Sequence, residues 1–244
     1  MADRIFEIGG AALDVTDQMA RKLIDNVVHA EVAGYRKAEV ITNSFPFELD
    51  KAMNKKSPMK PQVEDSFYPD ISGTLSKTGG KLDVALGCEG FFVISGPWGE
   101  GYTRDGRFKL DKDGRLLTVA GNFPVMGQGG PIIIVPGTEV EFTQSGEIKA
   151  GGIVVDSLQI LNAKNIKSLD SINGAVFRKK SMNDVMLNVE NPRILSGYFE
   201  TSNISVIDET MKQMMLEKTN NAITEFVRNR STELGKAIDM GRVN

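Results

Sequence analysis

Apolar residues recur along this chain with one period at its two ends and another in its middle. Near the start, Ile5, Ile8, Ala12, Val15, Met19 and Leu23 follow each other at spacings of three and four, with Asp14, Asp17, Arg21 and Lys22 off the line. That spacing predicts an amphipathic helix over about residues 3–34, and Gly34 is a natural stop for it. Its apolar stripe is narrow, closer to a coiled-coil seam than to the broad face of a globular helix. A second helix is predicted over about residues 203–240. Asn203 or Ser205 can cap it, and Asp208 and Glu209 suit its first turn. Ile207, Met211, Met214, Lys218 and Asn221 form one seam on it, and Met215, Ala222, Phe226, Arg230 and Leu234 a neighbouring one. Two adjacent narrow seams imply a helix with more than one helical neighbour.

Between the helices the pattern shortens. Residues ~36–80 carry Pro46, Pro58, Pro61 and Pro69, which argue against a long helix and for an extended arm. From Leu82 short β runs succeed each other (LDVALG, GFFVISG, GYTRDG, RFKLDKDGRLLTV, GNFPVMG) with glycine at nearly every break. Asp113-Gly114 is a hairpin signal and Ser145-Gly146 a second candidate. PIIIVPG reads as a buried strand ended by Pro136-Gly137. Gly90, Gly101, Gly106 and Gly114 are read as turn positions, with Phe91, Phe92, Tyr102, Phe108 and Leu110 alternating between core and surface. The expected fold is α+β, with the N- and C-terminal helices pairing as an α-helical coiled coil and a central, mostly antiparallel β-domain. The divisions fall at 1–35 (N-terminal helix), 36–80 (arm), 81–202 (β-domain) and 203–244 (C-terminal helix).

Charge changes this picture little. With 29 basic and 32 acidic residues, no long-range field invites nucleic acid or an anionic membrane. No run approaches the roughly 18 apolar residues of a membrane span. The start MADRIFEIGGAALDV lacks the basic and apolar regions of a secretory signal. The expectation is a soluble chain that needs another route if it is to leave the cytoplasm. The single cysteine, Cys88, excludes an internal disulfide.

Candidate chemistry is sparse. His29, the one histidine, falls in a helical pattern, where a hydrogen bond at a helix interface is the simpler role. Cys88 has no basic neighbour in sequence and reads as a buried structural thiol. Asp111, Asp113 and Gly114 resemble the opening of a calcium loop but lack its later ligands. GQGGP at 127–131 is followed by Pro131 and isoleucines, so it lacks the helix N-terminus of a phosphate loop. Glu100, Asp105 and Asp111 offer a carboxylate pair for glycoside chemistry, yet acidic residues are common in hairpins. No catalytic, cofactor or metal site is expected.

Three stretches resemble the flagellar axial (rod and hook) protein family of bacteria. LIDNVVHAEVAGYRK at 23–37 is similar to its N-terminal box, matching at Asn26, Gly34, Tyr35 and Arg36 and departing at Val28, His29 and Glu31. LDVALGCEGFFVISG with GYTRDGRFKLDKDGRLLTVAGNFPVMG resembles the entry to its β-domain. LSGYFETSNISVIDE resembles its junction into the C-terminal helix. The resemblance implies that the terminal helices pair into an inner tube with the β-domain outside, and that the subunit leaves through the flagellum's own type III export apparatus without a cleaved signal.

The assembly interface is then expected at Ile8, Val15, Met19, Leu23, Asn26, Ile207, Met211, Met214, Met215, Ala222 and Phe226. The partners implied are copies of the chain and other rod and axial proteins, with no nucleic acid and no membrane insertion, in the periplasm-spanning basal body. The run FPVMGQGGPIIIVPGTEVEFTQSGEI resembles the proximal-rod member more than the distal-rod member. Hook proteins usually carry a further outer domain, for which 244 residues leave no room. Outside the family, a carbohydrate-acting or carbohydrate-binding β-domain is the alternative, recognisable by a pocket with perturbed carboxylates.

Overall fold

The computed structural model describes residues 2–42, 63–68 and 71–241. Pro46, Pro58, Pro61 and Pro69, on which the extended-arm expectation rests, lie outside the described residues. The fold is α+β, and the strand ladders among the described residues are antiparallel. The chain divides into two compact units. One is built from the described parts of Met1–Val28, Ala38–Phe67 and Ser205–Asn244, the other from His29–Lys37 and Tyr68–Ile204.

The first unit holds helix α1 (Ala2–Val28), helix α2 (Val206–Gly241) and a two-stranded ladder in which Glu39–Thr42 pairs with Val63–Phe67. Ser205 caps α2: its hydroxyl accepts the amide of Asp208 at 3.3 Å, and its carbonyl accepts the amide of Glu209. The cap satisfies donors that the first helical turn would otherwise leave open.

The second unit is the β-domain. Its centre is the hairpin Phe91–Gly96/Gly99–Thr103, turned by Pro97-Trp98. Around it stands a six-stranded sheet in the order Leu169–Ser171, Val176–Lys179, Gly99–Thr103, Phe91–Gly96, Ile160–Ala163, Met186–Asn188. Both faces of the hairpin are covered. Phe92 and Ile94 join Val84, Phe108, Leu116, Ile132 and Ile134 on one side, and Phe91 and Val93 join Tyr102, Leu169 and Phe177 on the other. The expected alternation between core and surface is therefore corrected. Phe91, Phe92, Tyr102 and Phe108 are all buried, and only Leu110 is half-exposed. A strand packed on both faces reads as a continuous apolar run, which is why FFVI shows no period of two.

The two hairpins expected at turn signals are present. Phe108–Leu110 pairs with Leu116–Thr118, and Val140–Phe142 pairs with Glu147–Ala150. At the first, the Asp111 carboxylate accepts the amides of Asp113 and Arg115 at 2.9 and 2.8 Å, so the aspartates build a turn. PIIIVPG differs from expectation. Only Gly130–Pro131 pairs as a strand, against Met126–Gly127, and the isoleucines alternate, with Ile132 and Ile134 buried and Ile133 and Val135 exposed.

Residues 29–37 close the β-domain. Two guanidinium groups are buried here beside one ring: the Cζ atoms of Arg36 and Arg104 lie 5.2 and 5.5 Å from the centroid of Phe91. Glu200 is the buried counter-charge, 3.5 Å from Arg104, and it also accepts the amide of Gly73 at 2.9 Å. Arg104 donates to the carbonyl of Cys88, and Arg107 holds Asp105 at 2.9 Å while covering Phe199. The backbone follows suit. Gly34 donates to the carbonyl of Glu200, Arg36 to that of Gly174, and Lys37 to the side-chain oxygen of Asn203. Gly34 adopts a φ of 66°, and a Cβ there would stand 2.4 Å from the amide nitrogen of Asp105. Helix α1 stops at Val28, ahead of this glycine, and Gly34 serves the close approach of two backbones.

Gly114 has a φ of 79°, and a Cβ there would meet the carbonyl oxygen of Ile134 at 1.9 Å. Gly114→Val is expected to destabilise the full chain by about 2–4 kcal/mol through backbone strain and overpacking together. Gly79→Val, at a φ of 72° but with open space around it, should cost only the strain, about 1–2 kcal/mol. Thermal melts of the two variants beside the parent check the ordering; an unchanged melt for Gly114→Val would mean that the loop yields freely.

Candidate assembly interface

The two helices of the first unit pair with each other. Gly9 lies against Val227, the Thr16 hydroxyl donates to the side-chain oxygen of Asn220, and the Asn26 amide donates to Glu209 at 3.1 Å. These contacts run in opposite chain directions, so the helices are antiparallel. Along α2 the residues turned inward are Glu209, Gln213, Leu216, Asn220, Ile223 and Val227. Their spacing of four and three is that of a coiled-coil seam, but half of the set is polar.

Asn26 is the hub of this unit. Its side chain donates to the carbonyl of Ala38 and accepts the amide of Ala38, each at 3.0 Å. It is almost fully buried, as is Glu209, whose other oxygen takes a 2.9 Å bond from Lys212. That hydrogen bond, with the attraction of the same carboxylate, raises the Lys212 pKa above its ordinary value. Sequence reasoning placed Glu209 in the first turn as a partner of the helix dipole and missed its inward direction. The available signal was the half-polar line Glu209, Gln213, Leu216 and Asn220, at heptad spacing beside the two apolar seams.

The sequence-derived interface residues divide into two groups. On α1, Val15 and Asn26 are buried and Ile8, Met19 and Leu23 half-buried. On α2, Ile207, Met211, Met214, Met215, Ala222 and Phe226 are exposed, Ile207 at 74 % and Phe226 at 62 %. The interface residues expected on α2 thus lie mostly away from α1, and the half-polar seam faces it. Met215 does meet the α1 set at one place. With Met19, Lys22, Leu23, Ala38, Val40 and Leu216 it lines a groove of about 450 Å³ whose remaining walls are Glu39, Glu209, Lys212 and Thr219.

The other chemistry-bearing residues are held by structural partners. His29 lies just after α1, in a turn, stacked on Tyr35 with ring centroids 5.0 Å apart. Cys88 is half-buried, which corrects the fully buried thiol expected, and its sulfur accepts the amide of Arg193. The carboxylates Glu100, Asp105 and Asp111 do not converge: they bond to Tyr102, Arg107 and Arg115 respectively. Burial, then the hydrogen bond to Glu100, drives the Tyr102 hydroxyl far above its usual pKa. Among the described residues no group of three or more His, Cys, Asp or Glu side chains gathers to hold a metal. Of the turn glycines, Gly34, Gly90 and Gly114 have positive φ, and Gly106 is packed so that a Cβ would lie 1.7 Å from the carbonyl oxygen of Val84.

Residues 85–156, the heart of the β-domain, match the family model of the flagellar hook protein FlgE/F/G D1 domain. The whole chain has relatives too. It is 26 % identical over 240 residues to the flagellar basal-body rod protein FlgF of Rhizobium meliloti, covering 94 % of this chain and 96 % of that one. To FlgF of Salmonella typhimurium it is 28 % identical, with 88 % of each chain covered. To the flagellar basal-body rod protein FlgG of Buchnera aphidicola from Acyrthosiphon pisum it is 29 % identical, covering 86 % of this chain and 89 % of the relative. The chain resembles flagellar basal-body rod proteins along nearly its whole length.

Asn26→Leu removes the hydrogen bonds to Ala38 and leaves the buried Glu209 carboxylate short of a donor. A loss of about 2–4 kcal/mol is expected. Asn26→Asp should be worse, because two carboxylates then meet in a buried seam, and Glu209→Gln added to it should recover part of the loss. Helical circular dichroism during thermal unfolding of the full chain reads all three variants, and equal stability of Asn26→Leu and the parent would remove Asn26 as the hub.

Proposed function

We propose that this chain is a structural subunit of the bacterial flagellar basal-body rod, which polymerises through its terminal helices into the axial shaft that transmits torque. The observation that carries the reading is the direction of the α2 side chains. Ile207, Met211, Met214, Met215 and Phe226 stay exposed while α2 meets α1 through a half-polar seam. Apolar side chains gathered on one exposed helix face mark a surface meant for a partner. The similarity to relatives named flagellar basal-body rod proteins supports other rod components as the partners, and further copies of the chain complete the reading.

Coiled-coil pairing in the assembled shaft, the divisions at 35, 80 and 202, and passage through the type III export apparatus without a cleaved signal complete the proposal. Within the family we favour the proximal rod over the distal rod, on the run from Phe123 to Ile148. The groove beside Met19, Leu23 and Met215 is the place where a neighbouring copy's helix would seat, with Lys22, Lys212, Glu39 and Glu209 setting its register.

Met211→Asp and Phe226→Asp test the reading. Both side chains are exposed, so the free subunit should keep its melting temperature within about 1 °C, as surface substitutions usually do. In cells lacking the native chain, each variant should be made in normal amount yet fail to support swimming. A buried charge without a partner is costly, and assembly would bury these. Normal motility from both variants would overturn the proposal.

A further inference from the structure

We infer that Met211, Met214 and Met215 form a reversible oxidation switch on α2, in which a peroxide turns an apolar face into a polar one that no longer docks. The inference rests on the proposed use of that face in the rod and adds a chemistry that controls it.

Helical spacing brings the three thioethers together. Residues three and four apart are neighbours on a helix surface, so Met214 and Met215 both lie beside Met211. All three are more than half exposed, with Met215 at 65 %. Ile207, one turn earlier, is exposed too. The nearest cation in sequence does not cover them, because the Lys212 ammonium is drawn to Glu209 at 2.9 Å.

The other methionines with described side chains are placed differently. Met126 and Met186 are half-buried against the cluster of Phe91, Tyr102 and Phe177. Met19 is half-buried on α1, where it lines the groove with Met215. Met182 is fully exposed, but it stands in the β-domain between Val176–Lys179 and Met186–Asn188. A small oxidant in solution therefore reaches the α2 face while the methionines packed on the sheet are shielded.

The step is a two-electron oxygen transfer. The thioether sulfur gives two electrons to the peroxide O–O bond; one oxygen stays on sulfur as the sulfoxide and the other leaves as water. A thiol-dependent sulfoxide reductase reverses it, releasing the oxygen as water while two thiols close to a disulfide. The sulfoxide is a strong hydrogen-bond acceptor, and burying it in an apolar contact without a donor is costly. Leucine offers similar apolar bulk and lacks this chemistry. The switch acts on the free subunit, since a face already covered in the shaft is closed to peroxide.

Two measurements test this. The full chain, carrying Cys88→Ser to remove thiol chemistry, is treated with hydrogen peroxide and mapped by peptide mass spectrometry. Met211, Met214 and Met215 should become sulfoxides about tenfold faster than Met126 and Met186. In cells lacking the native chain and sulfoxide reductases, the three positions are replaced together by Leu or by Gln, whose amide oxygen stands in for the sulfoxide. Both variants should melt within about 1 °C of the parent, because the positions are exposed. The Leu variant should support swimming and the Gln variant should not. With expression induced under sublethal peroxide, the Leu variant should give several-fold more swimming cells than the parent. Equal peroxide sensitivity of the parent and the Leu variant, or uniform oxidation rates in the map, overturns the inference. Normal swimming by the Gln variant beside a non-swimming Met211→Asp would refute the switch and leave the rod reading standing, whereas normal swimming by both Met211→Asp and Phe226→Asp would remove the rod reading itself.

Discussion

Two buried guanidinium groups beside the ring of Phe91 are the constraint from which the β-domain's arrangement follows. A charge taken out of water must be paired and hydrogen-bonded, or it costs several kcal/mol. Arg36 comes from the segment after α1, Arg104 from the loop after the central hairpin, and Glu200 from the last strand before α2. Gathering these groups brings three distant parts of the sequence to one place, with Arg36 Nε and Nη2 and Arg104 Nε buried there without a hydrogen bond. Gly34, with no Cβ, lets its backbone come within reach of Arg104 and Asp105 there. The GYRK and TRDGR motifs are thus two halves of one clamp, and the clamp fixes where the chain enters and leaves the sheet.

The helical unit is held together differently. Its inner contact mixes Leu216, Ile223 and Val227 with Gln213, Asn220 and Glu209. Polar residues in a helical seam specify register at a cost in stability, since Thr16 finds Asn220 and Asn26 finds Glu209 in one alignment only. The larger apolar side chains of α2 are left outside. Met211, Met214 and Phe226 are more than half exposed there.

The β-domain and the helical pair therefore divide the work. The sheet supplies a rigid body with aromatic layers on both faces, Phe92 against Phe108 on one side and Phe91 and Tyr68 against Phe177 on the other. The helices leave Ile207, Met211, Met214, Met215 and Phe226 exposed. Among the described residues the carboxylates Asp105, Asp111 and Glu100 by the hairpins are engaged by Arg107, Arg115 and Tyr102.

Periodicity and turn chemistry are local, and they were legible. Spacings of three and four located both helices, Asp113-Gly114 and Ser145-Gly146 located two hairpins, and Ser205 was among the caps expected. The α+β class and the family resemblance could be reached from the sequence for the same reason. Direction was not legible. Whether Phe91 and Phe92 are both buried depends on what covers each face of the sheet, and on the Phe91 side Tyr68 and Ile166 pack beside the same-sheet neighbours Leu169 and Phe177, all far away in sequence. Which stripe of α2 faces α1 depends on which hydrogen bonds the partner offers, and Thr16 and Asn26 offered them to the polar stripe. An apolar pattern states that a surface will be covered. Only the tertiary structure decided by what, because burial is shared between elements while periodicity belongs to one.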